Sequence, residues 1–309
     1  ARFDKTYDGN ANVTQTLTKG THYTLTGFVG TEGTGIELSS ATGKYTDKNA
    51  GTDKNVRFDG LRLTGAGADN YAPGKTTLTG TGTITRRALT LGAVEAQTKT
   101  YDGTTAADTA KFRARLNNAV AGDDITAAAT GAAYNDKNVA RANRIDYTGL
   151  TLTGTDAGNY TLAATTAQGA GAITPRALTL GAVEAQSKTY DGNTAADASK
   201  FRGALAGVVK GEENSVSATA AGAAYNDKNV ARANTVRYTG VVLTGTGAGN
   251  YTIATTAEGA GTITRRMLTF DGVTAQTKTY DGNTAADASN FHATLGNVVA
   301  GEESSVTAT

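Results

Sequence analysis

The sequence predicts an all-β protein made of tandem small β-sandwich modules of the immunoglobulin-like (Ig-like) type, each about 90 residues long and arranged end to end. Two observations support this fold class. The phrase Lys-Thr-Tyr-Asp-Gly occurs four times among other phrases that recur in the same order, with its tyrosine at Tyr7, Tyr101, Tyr190 and Tyr280. The chain also holds 39 glycines and 2 prolines among many alanines and threonines, a composition suited to short strands joined by glycine turns.

The period divides the chain into three full modules and part of a fourth. We define repeat 1 as residues 1–87, repeat 2 as 88–176, repeat 3 as 177–266 and repeat 4 as 267–309. Repeat 1 departs from the common pattern between residues 10 and 44 and is predicted to be a variant module. Repeat 4 ends before the later strands of the pattern, so we expect an open apolar face and an unpaired edge. Following residues or another copy of the chain would cover them.

In repeat 2, the template for the pattern, the first two elements are predicted strands. Leu89, Leu91 and Val94 carry the apolar positions of the first strand. Lys-Thr-Tyr-Asp-Gly then predicts a strand that ends in a tight turn, because Asp hydrogen-bonds its own backbone and Gly adopts a positive φ. A ligand platform is the alternative interpretation of this phrase. The next stretch, residues 104–116, suits either a strand or a short helix, and we favour the strand.

Paired acids follow in a predicted turn, at positions 123–124, 212–213 and 302–303 of repeats 2, 3 and 4. Adjacent carboxylates suggest calcium, but Ca²⁺ takes about six to eight oxygen ligands and no dense Asp/Asn loop lies nearby in the sequence. We therefore predict that each pair forms a solvated hairpin tip.

A polar loop comes after the predicted strands that end at Tyr134 in repeat 2 and at Tyr225 in repeat 3. It is the stretch of each repeat with the most functional groups. Amides and charges beside aromatic faces suit a sugar or a host protein. We therefore predict a candidate ligand-facing loop formed by Tyr134, Asn135, Asp136, Lys137, Asn138, Tyr225, Asn226, Asp227, Lys228 and Asn229.

The strand after this loop shows the clearest period of two. Ile145 and Tyr147 share one parity, Leu150 and Leu152 share the other, and a glycine lies between the two pairs. This slip predicts a β-bulge at each of the equivalent glycines, Gly60, Gly149 and Gly240. An Asn-Tyr turn then leads into a further strand, and the closing Ile-Thr phrase runs directly into the next repeat. Such a short junction favours a stiff array over a flexible tether.

Composition and motifs argue against several classes of function. The net charge of +1 gives no reason to expect nucleic-acid binding. There is no cysteine, and the two histidines occupy non-equivalent positions, so the sequence predicts no enzyme, no cofactor and no metal site. We expect no membrane span, because no run approaches about 18 apolar residues. One covalent hypothesis remains, an isopeptide cross-link from Lys99 or Lys137 to an asparagine.

Five phrases together resemble the YDG-type repeat of large bacterial secreted proteins, including filamentous-haemagglutinin-like adhesins. They are Lys-x-Tyr-Asp-Gly, Asp-Lys-Asn-Val, Gly-x-x-Leu-Thr-Gly, Ala-Gly-Asn-Tyr and Ile-Thr-Pro/Arg-Arg-Ala-Leu-Thr. The resemblance implies an extracellular protein, secreted or attached to the cell surface, in which the repeats form a stalk, a filament or part of a biofilm matrix. It brings no catalytic residues.

Two hypotheses of function follow. The first is a structural segment of an adhesin or matrix protein. The alternative is a set of glycan- or host-protein-binding modules that use the polar loops and their tyrosines. The expected partners are other copies of the same protein, joined by strand complementation through repeat 4, or cell-surface and matrix components.

Overall fold

A computed structural model describes residues 1–39 and 42–308. Throughout these residues the regular structure consists of β-strands and short 3₁₀ helices, so the all-β prediction is confirmed. The chain folds into two compact units. Unit 1 contains Ala1–Lys99 and Thr104–Ile173, and unit 2 contains Thr100–Gly103 and the described residues from Thr174 onward. The Tyr-Asp-Gly turn of repeat 2 therefore belongs to the same unit as repeats 3 and 4.

Repeat 1 lies in unit 1. Its described strands are β1 (Lys5–Thr6), β2 (Glu37–Ser39), β3 (Thr42–Tyr45), β4 (Gly51–Asp59), β5 (Arg62–Thr64) and β6 (Thr77–Thr85). They form a sheet of order β1-β6-β4-β3, in which β1 and β6 are parallel and the other neighbours are antiparallel, and a separate β2-β5 pair. Short 3₁₀ helices span Glu32–Gly35 and Ala68–Asn70.

Repeat 2 repeats this arrangement and completes it. Its strands are β7 (Arg87–Val94), β8 (Gln97–Thr100), β9 (Ala114–Asn117), β10 (Thr126–Ala128), β11 (Gly131–Tyr134), β12 (Arg144–Thr148), β13 (Thr151–Thr153), β14 (Tyr160–Leu162) and β15 (Thr166–Thr174). The sheet of order β8-β15-β12-β11 corresponds to that of repeat 1, and the remaining strands form the β14-β7-β9 sheet and the β10-β13 pair. Two 3₁₀ helices span Thr109–Lys111 and Ala157–Asn159.

Repeats 3 and 4 lie in unit 2. Repeat 3 has β16 (Arg176–Ala177), β17 (Thr179–Val183), β18 (Gln186–Thr189), β19 (Gly203–Ala206), β20 (Ser217–Thr219), β21 (Gly222–Tyr225), β22 (Thr235–Thr239), β23 (Val242–Thr244), β24 (Tyr251–Thr252) and β25 (Thr256–Thr264). Its main sheet has the order β18-β25-β22-β21. Its 3₁₀ helices span Ala198–Lys200 and Ala248–Asn250. In repeat 4 the antiparallel pair β26 (Thr269–Val273) and β27 (Ala293–Gly296) accompanies a 3₁₀ helix at Ala288–Asn290.

The core of each complete repeat is covered by its four-stranded sheet. In repeat 2, Ile145 and Tyr147 lie on the same face of β12 and are both 0% exposed. The Phe112 ring packs on the Tyr147 ring with 4.7 Å between centroids. The buried amide of Gln97 donates a hydrogen bond to the Tyr147 hydroxyl at 2.7 Å, so the one polar atom of this tyrosine has a partner inside the core.

The glycines predicted to form bulges instead separate strands of two sheets. β12 ends at Thr148 within the main sheet, and β13, which begins at Thr151, pairs with β10. The change of parity therefore arises because the chain crosses from one sheet to the other, which points both sets of apolar side chains at the shared core. The bulge prediction is wrong at these glycines, all of which have a positive φ: Gly60, Gly149 and Gly240.

The ambiguous stretch 104–116 contains both predicted structures. A 3₁₀ helix at Thr109–Lys111 is capped by Asp108, whose side chain accepts a hydrogen bond from the Ala110 amide. Strand β9 follows it. The preference for a strand was therefore correct only for the second half.

One buried cluster in unit 1 continues from repeat 1 into repeat 2. It contains Phe3, Tyr7, Tyr45, Val56, Phe58, Leu61, Ile84, Leu89 and Tyr160. Sandwich modules arranged end to end would each have a separate interior, but within unit 1 Tyr7 extends the core of repeat 1 to Tyr160 of repeat 2.

Candidate functional site

The Lys-Thr-Tyr-Asp-Gly phrase forms a turn that its own lysine holds in place. Lys188 Nζ donates to the Asp191 carboxylate at 2.7 Å and to the carbonyl oxygens of Asn193 and Ala195 at 2.8 and 3.0 Å. Lys5 and Lys278 make the same three kinds of contact in repeats 1 and 4. The glycine of each turn has a positive φ, as predicted, at Gly9, Gly103, Gly192 and Gly282. Each turn therefore presents its tyrosine on a rigid support.

Tyr7 projects from the Tyr-Asp-Gly turn of repeat 1 and packs against repeat 2, within unit 1. Its ring meets the Tyr160 ring edge-on, with 5.3 Å between centroids and 78° between planes. Both hydroxyls donate to Oδ2 of Asp123, at 2.8 and 2.6 Å. The Tyr160 hydroxyl also accepts a hydrogen bond from the Val120 amide at 3.0 Å. We name this arrangement the tyrosine–carboxylate joint. The turn tyrosine comes from one repeat. The next repeat supplies the first residue of its acid pair and the tyrosine of its Asn-Tyr phrase.

The same joint recurs in unit 2. The Tyr101 hydroxyl donates to Glu212 Oε1 at 2.7 Å, and the Tyr251 hydroxyl donates to Glu212 Oε2 at 2.7 Å. The two rings again meet edge-on, at 5.3 Å and 79°. The Val209 amide donates to the Tyr251 hydroxyl at 3.1 Å. A glutamate and an aspartate thus fill the same position, the longer side chain using both of its oxygens.

Repeat 4 provides a third instance. The Tyr190 hydroxyl donates to Glu302 Oε1 at 2.6 Å. No second tyrosine takes part among the described residues, because residues 267–308 contain no Asn-Tyr phrase. The turn glycines approach the facing valine closely in all three joints. An added Cβ would lie 2.7–2.8 Å from the valine Cγ1 in the pairs Gly9–Val120, Gly103–Val209 and Gly192–Val299.

The electrostatics of the joint favour neutral phenols and a charged carboxylate. Burial, followed by the hydrogen bond to Asp123, raises the pKa of Tyr160 to about 12. The same two causes raise the pKa of Tyr7. Burial alone would raise the pKa of Asp123, but hydrogen bonds from Tyr160 and Tyr7 and the ammonium of Lys48 outweigh it and lower that pKa. The hydrogen bonds of the joint therefore form when both tyrosines are protonated and Asp123 is ionised.

The Asp-Lys-Asn loop also reaches the joint. In unit 1, Lys48 Nζ of repeat 1 lies 3.6 Å from the Asp123 carboxylate and 3.3 Å from that of Asp156. The Ala50 amide donates to Oδ1 of the buried Asn159 at 2.9 Å. In unit 2, Lys228 Nζ lies 3.6 Å from Glu302 Oε1. Repeats 1 and 3 therefore each contact the following repeat through the turn tyrosine and through this loop.

The two tyrosines of the predicted ligand-facing loop are buried. Tyr134 and Tyr225 end β11 and β21 and are each 4% exposed. Lys99 Nζ and Lys188 Nζ lie 5.4 Å from the centroids of their respective rings. These rings therefore belong to the core beneath the Tyr-Asp-Gly turn, and their faces are not open to a ligand.

The amides and carboxylates of the loop organise the loop itself. Asn135 Oδ1 accepts hydrogen bonds from the Asn143 and Arg144 amides at 3.1 and 3.0 Å. Asp136 Oδ1 accepts one from the Asn138 amide at 2.7 Å. Asn226, Asp227 and Asn229 make the matching contacts in repeat 3. Lys137 also has a partner. Binding of an external ligand by these residues stays a prediction.

The prediction of a solvated tip for the paired acids is wrong for the first acid. The Asp123 side chain is 6% exposed, because two tyrosines cover it. Only a comparison of the repeats could have indicated that this acid contacts a tyrosine. Each of the acid pairs in repeats 2, 3 and 4 is preceded, one repeat earlier, by a Tyr-Asp-Gly phrase. Within one repeat, an acid beside a glycine looks like any surface turn.

Other chemistry receives little support from the described residues. Within residues 1–39 and 42–308, no group of three His, Cys, Asp or Glu side chains is placed to hold a metal ion. No helix in the same ranges is long and apolar enough to cross a membrane. Lys99 Nζ donates to the carbonyl oxygens of Thr104 and Ala106, both at 2.9 Å, and its cross-link to an asparagine stays a prediction.

Comparison with known proteins gives a family match and a distant structural similarity. No curated protein matches the chain. Among solved structures, the protocadherin GammaB4 extracellular domain is similar over 74% of this chain and 45% of that chain, at 9% identity and a TM-score of 0.24. The chain thus spans less than half the length of that structure. The profile of the YDG domain matches residues 1–79, 85–167 and 174–258. These three segments make up most of the sequence, and the chain belongs to the YDG domain family.

Proposed function

We propose that this chain is a structural segment, a stalk or filament portion, of a bacterial extracellular adhesin or matrix protein. The observation that carries the proposal is the tyrosine–carboxylate joint, which recurs with the same chemistry at Tyr7, Tyr101 and Tyr190. A protein that acts as a spacer needs a contact between successive repeats that can form at every junction. Tandem YDG domains supply copies of a single connection.

Two contacts at the Tyr7 joint support a stiff connection. The turn tyrosine anchors one point through its buried ring and a charge-assisted hydrogen bond. The Asp-Lys-Asn loop adds a second point, seen as Lys48 with Asp123 and Asp156. A single contact would allow rotation about itself, whereas two contacts restrain it. This restraint suits a spacer that holds another region at a distance.

The location and partners of this role are also proposals. We place the protein outside the cell, secreted or attached to the surface, because its phrases resemble the repeats of secreted bacterial proteins. Its partners in this role are cell-surface or matrix components and other copies of the chain.

Small-angle X-ray scattering tests the stalk proposal. A compact protein of 309 residues would have a radius of gyration of about 19 Å. We expect a value well above this for the stalk, and a broader distribution of dimensions for Tyr7→Ala, which removes the joint within unit 1. The matched control is Tyr280→Ala, because that turn tyrosine is 93% exposed. A radius near that of the compact protein would overturn the proposal.

A further inference from the structure

A cleft runs beside strand β9 of repeat 2. It has a volume of about 760 Å³ and is bordered by β9, by β10 and by the 3₁₀ helix that precedes β9. Two buried side chains, Phe112 and Ala127, line its inner side. Repeat 3 has an equivalent cleft of about 660 Å³ between β19 and β20, with Phe201 on the inner side. Both volumes fall within the range of ordinary ligand sites, about 300–1,000 Å³.

Each of the strands that border the cleft of repeat 2 has free backbone groups. β9 is the outer strand of the β14-β7-β9 sheet, and β10 pairs with β13 alone. Among the described residues, no backbone hydrogen bond joins β9 to β10. In an edge strand, alternate N–H and C=O groups point away from the single partner strand and can bond a further strand. The ligand that suits such an edge is an extended polypeptide.

Small side chains keep this cleft open beside β9. Those that line it are Ala93, Ala110, Ala114, Ala127 and Ala128. In a strand added beside β9, successive side chains would point to opposite sides of the sheet. One set would lie on the side of Phe112 and Ala114, which suits apolar groups. The other set would lie on the side of Arg113 and Arg115.

The charges at the cleft of repeat 2 favour acidic groups in that second set. Arg113 and Arg115 border this cleft against Glu95 alone. Arg113 Nη1 already donates to the carbonyl oxygens of Ala110 and Phe112, at 2.9 and 2.8 Å. Arg115 is exposed and, within residues 1–39 and 42–308, makes no hydrogen bond or ion pair. Its guanidinium is therefore available to a carboxylate of a bound segment.

The cleft of repeat 3 has a similar shape but the opposite balance of charge. Arg202 borders it against Glu184 and Glu213, and Ala204 takes the place of Arg115. The chain therefore contains a matched cleft in which an acidic ligand would meet two carboxylates and one guanidinium.

We propose that the cleft of repeat 2 binds an extended, acidic segment of a partner protein, which adds as a strand to the free edge of β9. Hydrogen bonds to the β9 backbone supply affinity. Apolar side chains over Phe112 and carboxylates beside Arg113 and Arg115 supply specificity. This site is separate from the polar loops at Tyr134 and Tyr225. The inference concerns binding and not the stalk role, so either can fail alone.

A short synthetic strand tests the proposal on the full chain. The probe is a capped, fluorescent hexapeptide, Val-Glu-Val-Glu-Val-Glu, which when extended places its valines on one side and its glutamates on the other. We expect saturable binding by fluorescence polarisation. The same peptide with N-methylated backbone amides keeps its side chains but loses its donors, and should bind at least about tenfold more weakly. No binding, or equal binding of the two peptides, would overturn the proposal.

Two arginine variants test the charge. Arg115→Ala introduces the residue that repeat 3 has at this position and should weaken binding of the acidic peptide about threefold, the effect of one cross-strand ion pair. Arg62→Ala is the matched control, because Arg62 is also an exposed strand residue but does not line the cleft. Equal affinities of the two variants would contradict an acidic ligand.

Two tryptophan variants test the location. Ala128→Trp fills the cleft of repeat 2, and Thr219→Trp fills the equivalent position in repeat 3. We expect only Ala128→Trp to abolish binding of the acidic peptide. Unchanged thermal midpoints show that the variants fold, and Arg115→Ala decides the matter if Ala128→Trp does not fold. Binding that survives Ala128→Trp in a folded chain would overturn the assignment to this cleft.

Sedimentation of the chain alone distinguishes a partner protein from a second copy. We expect the parent chain and Ala128→Trp to sediment identically. Self-association of the parent chain that Ala128→Trp abolishes would instead identify the occupant as a strand of another copy, and would overturn the assignment of a different partner.

Discussion

Tyr101 stabilises its joint through both its ring and its hydroxyl. The ring is 1% exposed, and the hydroxyl lies 2.7 Å from a carboxylate oxygen of Glu212. Tyr101→Phe keeps the ring and removes the hydrogen bond to a charged group, so we expect the free energy of unfolding to fall by about 1.5–3 kcal/mol. Urea unfolding followed by circular dichroism measures this change. The matched control, Tyr280→Phe, should stay within about 0.5 kcal/mol of the parent chain; equal losses in the two variants would contradict the role of the joint.

The Asp123 joint should weaken at both ends of the pH scale. The folded pKa of Asp123 lies below the ordinary 3.8, so its stabilisation is present above pH 3.8 and is lost as pH falls through the folded pKa. The folded pKa of Tyr160 lies above the ordinary 10.0, at about 12, so its stabilisation is complete below pH 10.0 and is lost as pH rises towards 12. Titration of tyrosinate absorbance measures the alkaline side. We expect a late step that Asp123→Asn moves to lower pH. A single step at the ordinary value in the parent chain would contradict this.

At this scale the sequence revealed the tyrosines and the acids but not their pairing. Tyr7 and Asp123 lie in different repeats, and no local pattern connects them. Tyr134 and Tyr225 were expected at a ligand surface because they border polar loops, yet each ends a strand whose inner face is core. Period-two alternation places a residue on a face, but it does not say which neighbour covers that face.

The crossing glycines are sensitive positions between the strands that they join. Gly149 has a φ of +63°, and an added Cβ would lie 1.9 Å from Thr130 Oγ1. We expect Gly149→Ala to lower the free energy of unfolding by about 1–3 kcal/mol, because the left-handed backbone is strained for alanine and Thr130 must move. Thermal and denaturant unfolding measure this loss. Gly158→Ala is the matched control, since among the described residues no atom lies within 4 Å of its added Cβ, and it should change stability by about 0.5 kcal/mol or less.

Strands and turns were the elements most open to prediction. Alternation located β7 and β12, and the Asp-Gly pair located the turn after β8. The crossing between sheets was misassigned because a bulge and a change of sheet produce the same slip of parity in sequence. Only the hydrogen-bond partners of β13, which lie in β10, separate the two possibilities.

For the whole molecule, the recurring phrases predicted the tandem arrangement directly, because a period is independent of local propensity. The all-β class came from the composition, which suits short strands joined by glycine turns. The buried cluster that continues from repeat 1 into repeat 2 was not predicted. A tyrosine beside Asp-Gly suits a turn equally well whether its ring is exposed to water or buried against the next repeat. Its burial depends on a partner about one repeat away in the chain, a distance that windowed pattern analysis does not cover.

The layout of the joint has a consequence for how such a gene can change. Repeats 2 and 3 each carry both a projecting tyrosine and a receiving acid, so deleting or duplicating one such period leaves each remaining tyrosine opposite an acid. Unequal recombination between the segments that encode the recurring phrases would therefore lengthen or shorten the protein in single steps, without any new surface having to evolve. Loss of part of a period would instead leave one tyrosine or one acid without its counterpart.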